Sequence, residues 1–388
     1  MSTVIDEGAV PTGTSGPPTP ATLPRTWTLT WHGVRTVAEL ELRQRIRSTR
    51  WIVALVVWFV VVGAITGLVW LSTRSLLTVA AGDTSNRVLQ GPMMFGLVVF
   101  FVLFLGLLVA PTLSATSING DRSAGTLAIL QVTLLSPFEI VLGKLLASWA
   151  AALAFLVVSV PFIGIALGAG GTPVLAMFVC LGVLALLLAA VCAIGLGFSA
   201  LVARTSGSAV LTYIAVASLS ALSPIVFGLT YLTTTHDETV RVWTMPGGAW
   251  NGNTAPDCAW QNEVRPVSHT ERTWWLLGIN PFVIVADAAP QPDARNRLIT
   301  GTDPLGAIRT GVRALRAGPA TEVDECWSGP SVQGSDYVSP VAERNVDTSA
   351  VWPWGLAANL LLGAAGVWVA VRRLRIPQRT LARGTRVA

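Results

Sequence analysis

The chain has 388 residues, of which 52% are hydrophobic and only 12% charged, with a formal net charge of +5. Soluble globular proteins carry about a quarter of their residues as Asp, Glu, Lys or Arg, so this composition excludes a water-soluble globule. The charges are also clustered: residues 145–203 contain none, a run long enough for two bilayer crossings.

In chain order, residues 1–24 hold Pro11, Pro17, Pro18, Pro20 and Pro24 among Gly, Ser and Thr. Such a segment buries too little apolar surface to fold, and a disordered tail is expected. It lacks the basic and apolar regions of a signal peptide. Residues 25–50 then carry Val34, Val37 and Leu40 among Arg35, Arg43, Arg45, Arg47 and Arg50, with Trp27, Trp31 and Trp51 nearby. This pattern fits an amphipathic helix in the headgroup plane, or equally a solvated helix leading into the first crossing.

A hydrocarbon core of about 30 Å takes about 20 apolar helical residues. Six stretches qualify: 51–71, 94–113, 140–167, 174–202, 209–231 and 351–371. The expected fold class is therefore an all-α polytopic membrane protein, with five transmembrane helices within 51–231 and the sixth at 351–371. Gly168, Gly170, Gly171 and Pro173 separate the third and fourth spans as a turn. In the fourth, Ala185, Ala189, Ala193 and Gly197 recur every four residues, a small-residue stripe suited to close helix packing within or between subunits. In the fifth, Ser208, Thr212, Ser218, Ser220 and Ser223 either line a path or bond to backbone carbonyls.

The loop between the second and third spans, 114–139, is not linker-like. Ser123 is placed to cap a short helix whose Leu127, Leu130 and Leu134 form an apolar stripe, with Pro137 closing it. Such a helix either transmits a push from a soluble partner or rests on lipid.

Residues 232–350 are long enough for a small domain and hold nine Arg against fourteen Asp and Glu, so the basic excess lies elsewhere. Within them, 274–288 is apolar but too short for an easy crossing and is read as interfacial or re-entrant. Cys258 and Cys326 share this segment, whereas Cys180 and Cys192 sit in the fourth span. An exported segment meets oxidising conditions, so a Cys258 to Cys326 disulfide is expected. His236 and His269 lack metal-ligand spacing, and no metal site is expected.

Arg372, Arg373, Arg375, Arg379, Arg383 and Arg386 follow the last span within the tail 372–388, and Arg35, Arg43, Arg45, Arg47 and Arg50 precede the first. Basic flanks resist translocation, which places both termini in the cytoplasm and 232–350 outside. Lys144 is the one lysine among 26 basic residues, a composition that suggests a bacterial plasma membrane. The pI reflects topology, and no nucleic-acid partner is expected. Proton pumps, intramembrane proteases and redox carriers need ionisable or metal-binding groups at bilayer depth; apart from Lys144 and Glu139 at a boundary of the third span, no acid, base or histidine enters a span, and no catalytic residue is assigned.

Asp121 with Arg122, then Gly125, Thr126 and Leu127, then Leu134 to Pro137, and finally Gly143 with Lys144 together resemble, in order and spacing, the signature of ABC-2 type permeases. These are membrane subunits of ATP-driven exporters with a type V-like architecture. Asn280, Pro281 and Phe282 resemble the Asn-Pro element of that family between spans five and six. The resemblance implies that Asp121, Arg122, Gly125, Thr126, Leu127, Leu130, Leu134, Pro137, Gly143 and Lys144 form a cytoplasmic coupling element for a separate ABC ATPase subunit. It also implies a second permease subunit, identical or related, in the same lipid bilayer. No cofactor is expected in this chain; ATP and Mg belong to the ATPase, since Gly143-Lys144 is followed by Leu145 and does not make a P-loop. Trp274, Trp275, Asn280, Pro281 and Phe282 are candidates for an exit gate. Charge-poor spans favour an amphipathic or apolar cargo, such as a lipid, glycolipid or lipophilic drug. The alternative is a membrane-anchored envelope-assembly or sensing protein whose outer domain binds a ligand.

Overall fold

The computed structural model describes residues 29–80, 83–125, 135–245, 258–290, 303–326 and 349–375. The expected disordered tail, most of the basic C-terminal tail, and Thr126, Leu127, Leu130 and Leu134 lie outside them. Six described helices are long and apolar enough to cross a membrane, and the protein is a multi-pass, predominantly helical membrane protein.

Helix α1 (Trp31–Ile46) turns at Arg47 and Ser48 into α2 (Thr49–Ala80), the first span. The second, α3 (Asp83–Ser114), is followed by the short α4 (Ser117–Ser123). Next come α5 (Pro137–Gly168) and α6 (Val174–Leu201), joined by a turn in which Gly170 and Gly171 take φ of 98° and 75°. Only glycine adopts such angles without strain, which explains the break read at 168–173. The fifth span is α7 (Thr205–Ala217) and α8 (Ser223–Thr233), spliced by a π-helical turn at Ser218–Leu222.

Beyond it, β1 (Thr235–Thr244) pairs antiparallel with β2 (Ala259–Ser268). A short β3 (Glu322–Asp324) adds in parallel on the other edge of β1. Val240, Val242 and Val267 make the hairpin's own small core, and Cys258 is bonded to Cys326. Two short helices follow, α9 (Trp275–Gly278) and α10 (Pro281–Ala288), then α11 (Pro304–Ala317) and the sixth span α12 (Trp352–Leu374). The sheet is an addition to the all-helical reading.

The main core is the apolar interior of α3, α5 and α6, with Phe95, Leu103, Ile163 and Leu184 essentially inaccessible. A second cluster closes the bundle end that carries α1, where Ile118, Ile140, Leu196 and Val371 meet. The hydroxyls of the fifth span bond to backbone: Thr212 donates to Ser208 O, Ser218 to Ile214 O, Ser220 to Val216 O and Ser223 to Leu219 O. Each thereby bonds a carbonyl of its own helix.

One local reading is corrected. Ser123 is the last residue of α4, where its Oγ donates 2.8 Å back to Gly120 O, and so is not the N-cap of a following helix. The chain turns instead at Gly125, in the left-handed region at φ 73°. Pro137, read as closing the preceding helix, occupies the first turn of α5. Its missing N–H costs nothing there, and Ser136 and Glu139 form a capping box around it.

Candidate coupling face and far-end joint

At the α1 end, Gly143 sets how close α1 approaches α5. A Cβ there would lie 2.6 Å from Val37 Cβ and 3.0 Å from Val34 O. The carboxylate of Glu139 reaches the same junction, accepting from Ser136 N at 2.7 Å and from Thr30 N at 2.6 Å. One turn beyond Glu139, the side chain of Lys144 is wholly buried. Its ammonium donates to Asp121 Oδ2 at 2.5 Å and also to Glu41 Oε1. A buried charge is tolerated only when paired, and Lys144 thereby ties α1, α4 and α5 into one joint.

α4 is fastened on its other side. Ser199 Oγ of α6 accepts from Ile118 N at 2.9 Å and from Asn119 N at 3.2 Å, and Asn119 Nδ2 donates 3.3 Å to Val202 O. Arg45 crosses from α1 to donate to Leu113 O at 2.9 Å. Burial pushes its guanidinium below the usual value, with the Glu41 carboxylate opposing the shift. The segment 126–134 therefore leaves from α4 and returns to α5, both locked to α1 and α6.

The candidate coupling residues thus divide. Asp121, Gly143 and Lys144 converge on an internal joint, Arg122 is half-buried, and Gly125 is exposed with open space around it. Lys144 and Gly143 hold α1 in place and present no surface to a partner. Glu41, Asn119 and Ser199 were missed in the sequence. A lone lysine in an apolar stretch signals that a counter-ion exists, but not which one.

At the far end, the apolar stretch 274–288 is broken in two and wedged among the spans. Asn280 Oδ1 accepts from Phe282 N at 2.8 Å and caps α10, with Pro281 at the first turn. Its Nδ2 donates to Ser220 O at 2.8 Å and to Ser223 Oγ at 3.0 Å, inside and beside the π-helical turn. Such turns release carbonyls from the regular helical pattern. On the other flank, Asn359 Nδ2 of α12 donates 2.9 Å to Ile279 O. Asp287, overlooked as the end of an apolar run, is 2% exposed; its Oδ2 accepts from Val351 N (2.6 Å) and Trp352 N (2.8 Å), and its Oδ1 from Arg313 Nε at 2.7 Å. It caps the sixth span, where a helix N-terminus favours an anion.

The five exit-gate candidates do not share one surface. Asn280 and Pro281 are buried in the joint, Phe282 packs edge-on against Phe100 of α3 at 5.8 Å, Trp274 faces Arg316 at 5.6 Å, and Trp275 is exposed. Of the packing stripe, Ala193 and Gly197 meet Gly363 and Gly366 of α12 within the same chain, while Ala185 and Ala189 are half-buried.

His269 bridges the hairpin, its ring nitrogens 2.9 Å from Glu238 Oε1 and 2.8 Å from Glu271 Oε1. Hydrogen bonding to Glu238, then to Glu271, raises its pKa above the usual histidine value. A raised folded pKa favours the charged ring. The clasp is therefore complete below the unfolded value of about 6.5 and fades as pH rises through the raised one. Glu238→Gln should return the pKa toward about 6.5, which a histidine titration by NMR would register as a fall in midpoint; an unchanged midpoint would refute the clasp.

No curated protein matches the chain. The sequence pattern of the ABC-2 family transporter proteins, however, matches residues 35–297, well over half of it, from α1 through the five following spans to beyond α10. That range holds the Lys144 joint and Asn280 with its π-helical turn. The chain belongs to the ABC-2 family of transporter proteins.

Proposed function

We propose that this membrane permease subunit works with a separate ATPase subunit, which docks on the segment 126–134 and its flanks at the α1 end of the bundle. The observation that carries the reading is the buried Lys144 joint: it binds both roots of that segment to α1, so a force on the segment moves α1, α4 and α5 as one block. The arginine-rich flanks support an orientation with this end in the cytoplasm and the disulfide-linked hairpin outside a bacterial plasma membrane. At the far end, the Asn280 and Asn359 bonds make spans five and six move with the broken segment, which serves as the exit gate. The cargo is an amphipathic or apolar molecule, released outward or to the outer leaflet. A second permease subunit completes the path.

The test is co-purification of this chain with an ABC ATPase subunit. Arg122→Ala with Leu127→Asp should abolish capture and cut cargo-stimulated ATP hydrolysis at least tenfold while leaving the chain folded. A stable chain that binds a ligand through its hairpin and captures no ATPase would instead favour the sensing protein.

A further inference from the structure

At the elbow where α1 turns into α2, a groove of about 800 Å³ opens between α2 and α3. Its mouth is polar, with Gln44, Arg45, Ser48 and Arg50. Its walls are apolar apart from Thr112, whose hydroxyl donates to Val109 O, and run from Trp51 to Val61 on α2 and from Leu113 back to Leu105 on α3, with Phe155 of α5 as the floor. The one polar atom of Trp58 is engaged elsewhere, its Nε1 donating 2.9 Å to Ser159 Oγ, so the indole offers the groove only carbon. Trp51 stands edge-on to Phe155 at 5.2 Å and closes the wall beneath the mouth.

Two quantities define what fits. The stretch from Trp51 to Val61 rises about 15 Å at about 1.5 Å per residue, half of a hydrocarbon core of about 30 Å. The groove therefore has the depth of one leaflet. The mouth is also net positive: Arg45 and Arg50 outnumber the one acid that lines it, Glu41, which Lys144 also engages. The Arg45 bond to Leu113 O uses one of five guanidinium N–H groups. A long apolar slot below a cationic mouth is complementary to an anionic amphiphile with an extended chain.

We propose that this groove binds one anionic phospholipid of the inner leaflet, its phosphate at Arg45 and Arg50 and one acyl chain between α2 and α3. The assignment rests on the orientation given above, with α1 at the inner face. Bound there, the lipid is a shim between the α1 elbow and the first two spans, and it makes the seating of α1 depend on inner-leaflet charge.

The experiment is native mass spectrometry of the delipidated full chain, without any ATPase, titrated with phosphatidylglycerol or phosphatidylcholine. One phosphatidylglycerol should bind in preference to phosphatidylcholine. Arg50→Gln should weaken it about fivefold, the effect of one basic residue at an anionic surface. Val57→Trp should fill the slot and remove the bound lipid without touching a charge, and it covers the case in which Arg45→Gln fails to fold. Arg74→Gln, at the other end of α2, should change nothing. Equal binding of both lipids, insensitivity to Arg50→Gln and Val57→Trp, or cross-links from Leu108 to a second copy of the chain would each overturn the proposal. Because the ATPase is absent, failure here leaves the transport reading standing, and loss of ATPase capture leaves lipid binding standing.

Discussion

Neutralising both carboxylates around Lys144, by Glu41→Gln with Asp121→Asn, is expected to destabilise the chain by about 3–5 kcal/mol, the cost of leaving a buried charge unpaired. Either change alone should cost about 1–2 kcal/mol, because the ammonium keeps one anionic partner. The single effects should therefore sum to less than the double, as expected for groups in one network. Adding Lys144→Met to the double variant should restore most of the stability, since an apolar side chain of similar length no longer needs a counter-ion. Unfolding titrations in mixed micelles read all four variants. The same series separates structure from coupling: the triple variant should be stable yet poorly driven by its ATPase, because α1 is no longer tied to α4. Additive single effects, or no rescue by Lys144→Met, would remove the joint from the account.

The second large effect concerns the seam of α6 and α12. A Cβ on Gly366 would lie 2.6 Å from Ala193 O, and one on Gly197 would lie 2.7 Å from Gly366 Cα. Both obstacles are backbone, so neither can yield by a rotamer change, and the helices must separate along the seam. In a bilayer, helix association rests on close packing because lipid is as apolar as leucine. Gly366→Ala and Gly197→Ala are each expected to cost about 3 kcal/mol, against a helix-propensity gain of up to about 1 kcal/mol. Gly182→Ala, on the same α6 with open space at its Cβ, should show only that gain. Melting temperatures of the three variants test the contrast, and a Gly366→Ala chain as stable as the parent would mean that the seam is not close-packed.

The six crossings were legible because their signal is local. An apolar run of the right length spans wherever it sits, and the observed helices extend the expected stretches mainly by a turn or so at their ends, with α2 and α3 running further. The disulfide was legible from compartment logic, since two of the four cysteines shared the segment 232–350. Ser123 misled because a serine before a leucine stripe has the form of an N-cap; its hydroxyl was already engaged by the helix behind it. The hairpin left a faint trace in the spacing of Val240 and Val242, too short to outweigh the polar residues around it. Asp287 was invisible because an acid closing an apolar run reads as a boundary, when in fact it reaches across to the start of the sixth span.

The sequence by itself determined what the chain dissolves in and how many stretches are long and apolar enough to cross, and it set the expectation for which side each loop faces. These follow from transfer free energies and flanking charges, which sum along the chain whatever it folds against. Only the tertiary structure decided that Lys144 meets Glu41, 103 residues away. It alone decided that Asn280 meets a π-helical turn 60 residues earlier, and that the stripe in α6 packs on α12 of the same chain. The physical reason is that a buried polar group states its need for a partner through its own chemistry, while the identity of that partner depends on which helices are brought side by side.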